Sequence, residues 1–337
     1  MEGRRGLIER LWKGIAIISA SEDGYKAGEF IKNKLKSMEI PVVHYRYQEA
    51  KLDLIWDCYD AIIFVMALEG AVRIVCKYAK SKSEDPAVIA IDDNINYIIP
   101  ILGGHWGGND IAKDLSKILN SQAIITTAAE LKGKISVEKI AEMLIAKIIN
   151  PEVIVKINSA LLRDDEVCLD GIKVYTNLPE NIKFNDQCKY IISLLDKSYG
   201  DDKVVVRLKP LKLSIGIGSK KEVNLDEIKE GIYRVLERLN TSKDRIGVIA
   251  SIREEISEIA KEFNVKFRLV KEDELNNFSN PCLTPPSKTL TELGLKGVAE
   301  ISALIAGGKD SKLVLRKIAV GKNSTIAVAA YDGDNSW

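Results

Sequence analysis

Histidine is almost absent from this chain of 337 residues: His44 and His105 are the whole supply. Two imidazoles are a meagre source of ligands for a catalytic zinc, and no metal site is predicted. Cysteine is little better represented. Cys58, Cys76, Cys168, Cys188 and Cys282 are odd in number, scattered and without a C-x-x-C pair. Neither a disulfide framework nor a zinc knuckle is therefore expected, and small buried thiols in a reducing cytoplasm are. Net charge is missing too: 49 Lys and Arg face 48 Asp and Glu, leaving +1. A nucleic-acid binder would show a basic surplus. The longest apolar runs, such as AIIFVMAL at 61–68, fall far short of the ~20 residues that span a bilayer. The first residues, MEGRRGLIERLWKG, carry charge but no apolar secretion core. A cytoplasmic protein with neither nucleic-acid nor membrane partner is expected. Internal repeats and low-complexity segments are also missing.

What remains is ordinary globular material. Hydrophobic residues make up 46% and charged residues 29%, enough apolar matter for real cores. A chain this long divides into two or three domains. Lys, Glu and Ile are plentiful, which points to a thermophilic source. GIAIIS (14–19), IPVVHYRY (40–47), YDAIIFVMA (59–67), PAVIAIDD (86–93) and INYIIPIL (95–102) read as strands, with Pro100 suited only to an end or a sheet edge. Helical spacing follows the first strand and recurs at 70–81 and 109–120, and QAIIT (122–126) reads as one more strand. The alternation predicts a mostly parallel, three-layer α/β domain over residues 1–130. A small middle α+β domain is expected over 131–209, with a helix at 136–149 broken at Asn150-Pro151. From LKLSIGIGSKKEV onward a carboxyl-terminal α/β domain is expected over 210–331, closing in a hairpin of KLVLRKIAV and STIAVAAY, with 332–337 a frayed tail.

Chemistry is concentrated in a few turns. PILGGHWGGND (100–110) gathers four glycines, His105 and Asn109-Asp110. It lacks G-x-G-x-x-G spacing and no Gly-Lys-Ser/Thr follows, so it is neither a dinucleotide fingerprint nor a P-loop. Glycines after a strand let backbone amides approach an anion or a developing oxyanion. His105 titrates near neutrality and can move a proton. A tight turn with His105 hydrogen-bonded in place accounts for the same residues. Asp92 and Asp93 end a buried strand, where parallel sheets face their ligands, and could serve as base or orient His105; a solvated turn is the plainer reading. After Glu69-Gly70, the residues Arg73, Lys77 and Lys80 could present cations to a polycarboxylate, although a solvated helix face is the commoner explanation. Gly216-Ile217-Gly218-Ser219-Lys220-Lys221 is a strand-to-helix turn suited to an anionic ligand. Glu300 is a candidate carboxylate in a short helix. His44 has no acidic or glycine companion in sequence and reads as structural.

Taken in order, EGAVRIVCKYAKSKSEDPAVIAIDD, PILGGHWGGNDIA, AIITTAAE, LSIGIGSKKEV, GVAEISALIAGG and KLVLRKIAVGKNSTIAVAA resemble segments of the cobalamin biosynthesis protein G family. The second carries that family's Gly-His-x-Gly-Gly-Asn signature. The resemblance is specific over 69–130, fair over 211–330 and thin over 131–209. Ser219-Lys220-Lys221 stands where the family commonly has Cys-Arg-Gly, and Ile301-Ser302 where an alanine-rich run follows the late glutamate. The resemblance implies a cobalt-precorrin-5A hydrolase, which opens a δ-lactone and releases acetaldehyde in the anaerobic route to cobalamin. It implies a cobalt-precorrin as the substrate partner, neighbouring pathway enzymes as further partners, and no cofactor of the protein's own, since the substrate carries the cobalt. On that footing His105 is the expected general acid or base, Asp92 or Asp93 orients it or activates water, and Glu300 is a second-domain carboxylate. Gly103, Gly104, Gly107, Gly108 and Asn109 would line an oxyanion or carboxylate pocket. Gly70, Arg73, Gly216, Gly218, Lys220 and Lys221 would hold substrate across an interdomain cleft. A non-catalytic tetrapyrrole carrier and a chelatase-like metal-inserting enzyme stay open as alternatives.

Overall fold

The computed structural model describes residues 7–81, 84–103, 107–126, 135–172, 178–220 and 224–333. The chain divides into two units, one of Met1–Ala128 with Leu213–Asp332, the other built on Ala129–Lys212. The amino lobe of the first unit runs β1 (Ile15–Ser19), α1 (Glu22–Ser37), β2 (Val42–Arg46), α2 (Leu52–Cys58), β3 (Ala61–Val65), α3 (Leu68–Tyr78), β4 (Ala87–Ile91), β5 (Tyr97–Leu102), α4 (Gly108–Leu119) and β6 (Gln122–Ala123). The runs IAIIS, AIIFV and AVIAI are buried at every position, as befits strands covered on both faces. Strand order is β2-β1-β3-β4-β5-β6, parallel throughout except for the antiparallel β4–β5 pair.

Period-two alternation sorts the side chains into two cores. Ile17, Ile63 and Ile89 meet Ile31 and Leu35 of α1 and Ile111 and Leu115 of α4. Ile18, Ile62, Phe64 and Val88 meet Trp56 of α2 and Ile74 and Val75 of α3. Each large buried side chain contributes ~1.5–3 kcal/mol. This is the expected three-layer lobe, with one difference in detail, the length of its last strand. Pro100 lies inside β5, opposite Ile89. Because β6 pairs only with Tyr97 and Ile98, β5 is an edge at that point, where proline is tolerated. The last strand is Gln122–Ala123 alone.

The second unit contains α5 (Val137–Met143), β7 (Ala146–Ile148), α6 (Ile154–Leu162), β8 (Val167–Asp170), β9 (Ile182–Lys183), β10 (Tyr190–Ser193) and β11 (Val204–Pro210). Its sheet has the order β7-β11-β10-β8-β9, with β7 antiparallel to β11. The helix expected at 136–149 stops at Met143, because the backbone turns at Ile145 (φ 49°) and feeds β7. Val137, Ile140, Ile157 and Leu161 pack on Leu169, Ile192 and Val206 to close this core.

The carboxyl lobe of the first unit runs β12 (Lys212–Ser219), α7 (Leu225–Arg238), β13 (Ile246–Ser251), α8 (Ser257–Glu262), β14 (Lys266–Leu269), α9 (Glu272–Asn277), α10 (Lys288–Glu292), α11 (Ala299–Gly307), β15 (Lys312–Val320) and β16 (Ser324–Tyr331). Strands β12, β13 and β14 are parallel, and β15 with β16 forms the expected antiparallel hairpin. Helix α11 is buried at nearly every residue and lies directly on β12. A side chain at Gly216 would run into the Ala299 carbonyl, and one at Gly218 would meet Thr325 Oγ1 and Val298. Helix packing therefore accounts for both glycines.

The expectation of free thiols fails. Cys58 is bonded to Cys282 and Cys168 to Cys188, while Cys76 is free. Spacing gave no sign of this, because the first bridge joins residues 224 positions apart. It ties the end of α2 to the loop after α9, and so one lobe to the other. No helix among the described residues is long and apolar enough to cross a membrane.

Candidate active site

Asp92 and Asp93 lie at the carboxyl edge of the amino-lobe sheet, and both hold local structure. Asp92 Oδ1 accepts the Tyr97 amide at 2.6 Å. Ser21 Oγ donates to Asp93 Oδ2 at 2.8 Å, which pins the β1–α1 turn to the β4–β5 turn. A Cβ at Gly70 would meet nothing closer than the Met66 sulfur, at 3.6 Å, so no close approach demands glycine there. Arg73 is exposed on α3. Lys80, on the same expected cationic face, is engaged by Asp57 at 2.8 Å.

The glycine loop sits elsewhere. Strand β5 is antiparallel to β4, with Leu102 opposite Val88. Its carboxyl end therefore reaches the amino edge of the sheet. Gly103 (φ 78°) lies against Ala87, the first residue of β4, and a side chain there would come within 2.6 Å of the Ala87 Cα. Gly107 (φ 87°) caps α4, and the Gly108 amide donates to the Gly103 carbonyl at 2.9 Å. Asn109 occupies the first turn of α4. Gly104 and His105 lie outside the described residues, as does Lys221. From Ala87 to Ile91 a strand rises ~13 Å. The sheet thus keeps the described ends of the loop a strand's length from Asp92 and Asp93, and does not bring these carboxylates to it.

The amino edge is where the lobes meet. Arg316 of β15 is 1% exposed and reaches across the junction. Its Nε donates to the Lys13 carbonyl at 2.8 Å, Nη2 to the Cys58 carbonyl at 3.0 Å, and Nη1 to the Cys282 carbonyl at 2.8 Å and Thr284 Oγ1 at 3.0 Å. Its guanidinium carbon stands 4.0 Å from the Tyr59 ring centre, a cation–π contact. Ile101 and Leu102, which lead into the glycine loop, pack on the same apolar cluster as Cys282 and Tyr59. The described ends of the loop and the carboxyl-lobe residues around Thr284 therefore lie at the same edge of the sheet.

Glu300 is the carboxylate at this edge. It is 3% exposed. Thr284 donates to it twice, from its amide at 2.7 Å and its hydroxyl at 2.6 Å, and the Lys317 amide donates at 3.0 Å. With three donors, Glu300 anchors the 280–285 loop. A small recess is lined by Thr284, Lys296, Gly297, Glu300 and Lys317. Sequence reasoning missed Thr284, Arg316 and Lys317. The one available signal was a pair of adjacent cations inside an otherwise apolar strand, KLVLRKIAV. Lys220 is exposed at the end of β12, with its amide bound to the Asn323 carbonyl. Among the described residues, no group of three or more His, Cys, Asp or Glu is placed to hold a metal.

A second polar cluster has the outline of a catalytic relay. His44 Nε2 lies 2.8 Å from Ser19 Oγ, and Nδ1 lies 2.7 Å from Glu29 Oε1. Ser19 is 2% exposed, shut in by the Gly24 carbonyl, His44 and the backbone of Gly28. No substrate can reach it, and the cluster serves to dock α1 on β1 and β2. Burial holds the His44 proton affinity below its ordinary value of 6.5, against the pull of Glu29 and with Lys32 and Arg46 adding to the effect. The unfolded chain then binds the extra proton first. The stability from this site is full above about pH 6.5 and is lost as pH falls through the lower folded value. The free-energy difference between wild type and His44→Gln, followed by urea unfolding, should shrink between pH 7.5 and 5; a difference that stays constant would exclude the linkage.

Family models match three consecutive stretches: the Cobalamin synthesis G N-terminal region over residues 50–130, the CbiG-like linker domain over 135–211, and the Cobalamin synthesis G C-terminus over 213–329. A cobalt-precorrin-5A hydrolase of Priestia megaterium is 23% identical over 308 residues, covering 83% of this chain and 82% of that one. A probable cobalt-precorrin-5A hydrolase of Methanocaldococcus jannaschii is 28% identical over 335 residues, covering 94% and 98%. The crystal structure of a cobalamin biosynthesis protein G homolog from Sulfolobus solfataricus is 68% identical, covers 97% of this chain and 100% of that one, and superposes with a TM-score of 0.88. Near-complete coverage at that identity, with all three regions in order, leaves one assignment: this chain belongs to the cobalamin biosynthesis protein G family.

Proposed function

We propose that the chain is a cytoplasmic cobalt-precorrin-5A hydrolase, which opens the δ-lactone and releases acetaldehyde to give cobalt-precorrin-5B. Disulfides do not count against that location, since intracellular proteins of hyperthermophiles carry them. The observation that carries the reading is the shared edge. The described ends of the glycine loop lie at the amino edge of the amino-lobe sheet, the edge at which Arg316 joins the Thr284 segment of the other lobe. The relatives' names supply the substrate.

The chemistry asks for two proton transfers and an oxyanion seat. Water adds to the lactone carbonyl as a base removes its proton, and the ring oxygen leaves as an alcohol once protonated. The Gly107 amide and the positive end of the α4 dipole stabilise the oxyanion, and His105 handles the proton. The released alcohol then loses its proton, its C–O becomes the aldehyde, and the carbon–carbon electron pair passes to the conjugated macrocycle. Asp92 and Asp93, at the opposite sheet edge, have no part in these steps. Arg73, Lys220 and Lys221 are proposed only as outlying seats for the substrate's acid arms.

An anaerobic acetaldehyde assay on cobalt-precorrin-5A tests this directly. His105→Ala should release acetaldehyde ~100-fold more slowly or worse. A wild-type rate in that variant would remove His105 from the mechanism. Tight binding by wild type with no acetaldehyde would favour a carrier, and cobalt insertion into a metal-free tetrapyrrole would favour a chelatase.

A further inference from the structure

Thr284 and Gly297 both line the small recess at Glu300, so the chain between them leaves and returns at one place. Each end is fixed. On one side Cys282 is bonded to Cys58, Arg316 donates to the Cys282 carbonyl and to Thr284 Oγ1, and Thr284 donates twice to Glu300. On the other side Val298 packs into a core, and α11 is buried from its first residue. Residues 285–296, between these ends, are held differently, because their hydrogen bonds are to one another. Ser287 Oγ accepts the Leu290 amide, and Thr291 donates from its amide and its hydroxyl to the Ser287 carbonyl. The amides of Leu293, Gly294 and Leu295 return to the carbonyls of Thr289, Thr291 and Leu290. No hydrogen bond or ion pair joins residues 285–296 to any other described residue, and none of them belongs to a core cluster.

A surface loop with its ends together and its bonds turned inward is an Ω-loop, a form that active-site lids take. With so little burial, this segment is among the first to part from the body. It is nevertheless ordered within itself, so it can swing about its fixed ends as one piece. No hydrogen bond to the body breaks, and little conformational freedom is lost. What it carries suits one class of ligand. Leu293 is 67% exposed, and Lys288 and Lys296 are exposed cations against the single carboxylate of Glu292. An apolar ring edged with acid groups complements that set. We propose that residues 285–296 are a lid that closes over the bound macrocycle, laying Leu293 on its apolar face and offering Lys288 and Lys296 to its acid arms. The inference rests on the hydrolase reading above, which supplies the macrocycle. Closure shields Glu300, at the foot of the lid, from bulk water.

Two measurements test the lid, both with a stable cobalt-corrin polycarboxylate that lacks the lactone as probe. The first is amide hydrogen exchange read by mass spectrometry. Saturating probe should slow exchange over 285–296 by ~10-fold or more. The exposed turn at Lys309 and Asp310 should exchange as before. A probe that does not bind, or that binds while 285–296 exchanges at its free rate, would overturn the lid. The second is Leu293→Asp. Leu293 belongs to no core cluster, so the melting temperature should stay at the wild-type value. Probe affinity should fall ~10-fold as the apolar contact is lost. Wild-type affinity in this variant would overturn the assignment. The two readings can fail separately. Protection of 285–296 in a chain that releases no acetaldehyde would sink the hydrolase reading and keep the lid, over the site of a tetrapyrrole carrier. Acetaldehyde release without protection would sink the lid alone.

Discussion

Cys282→Ser is expected to lower the melting temperature by about 10–20 °C. The Cys58–Cys282 bridge closes a loop of 224 residues. In the chain-entropy account a loop of that length removes about 5 kcal/mol of freedom from the unfolded state. For a unit of this size each kcal/mol shifts the transition by ~2–4 °C. The bridge is also well placed to express that gain, since it anchors the loop carrying Thr284 to the end of α2. Differential scanning calorimetry of wild type and variant, both without reductant, decides the matter. A shift under ~3 °C would mean that noncovalent contacts at the junction already supply the constraint. The single substitution is preferable to a thiol reagent, which would also open Cys168–Cys188.

Those noncovalent contacts centre on Arg316, and Arg316→Met should cost about 3–5 kcal/mol in urea unfolding. The substitution keeps most of the stem's volume and removes every side-chain donor. The carbonyls of Lys13, Cys58 and Cys282 and the Thr284 hydroxyl lose their partner together. Each buried acceptor left unsatisfied costs ~1–3 kcal/mol, moderated wherever water can enter. Truncating one side of a buried charged network typically falls in the range stated. A loss below ~1 kcal/mol would show that the buried charge was itself a burden that the methionine relieves. Because Arg316 binds the carbonyls of both bridged cysteines, the two substitutions should not add. A double-mutant cycle should show a coupling of ~0.5–3 kcal/mol.

The layers of the fold were legible because burial has a period. Strands such as AIIFV and helices such as that around Ile31 and Leu35 announce two-sided cores through local pattern alone. The hairpin at the end and the structural standing of His44 were equally local. The partners of His44 were not, since Ser19 and Glu29 come from β1 and α1 and share no spacing with it. Pro100 was read as a strand-end or sheet-edge residue, and strand pairing shows which: it stands where β5 is an edge beyond the reach of β6.

The site was legible in part. Sequence drew attention to the glycine loop and to Glu300; the described ends of that loop lie at the amino edge of the amino-lobe sheet, and Glu300 is bound to Thr284 beside Arg316. Asp92 and Asp93, grouped with the loop in sequence, lie at the opposite edge of the sheet from its described ends. The rule that ligands gather at strand carboxyl ends holds for parallel strands. One antiparallel pairing, β4 with β5, sends the glycine loop to the other edge.

By itself, then, the sequence determined the cores, most strands and helices, and through its ordered motifs the family. These depend on neighbours along the chain, where periodicity and turn chemistry act. Only the tertiary structure decided the Cys58–Cys282 bridge, the reach of Arg316, and the pairing of Glu300 with Thr284 and Lys317. Each joins residues from separate elements, and their energies depend on desolvation and geometry that no spacing in the chain encodes.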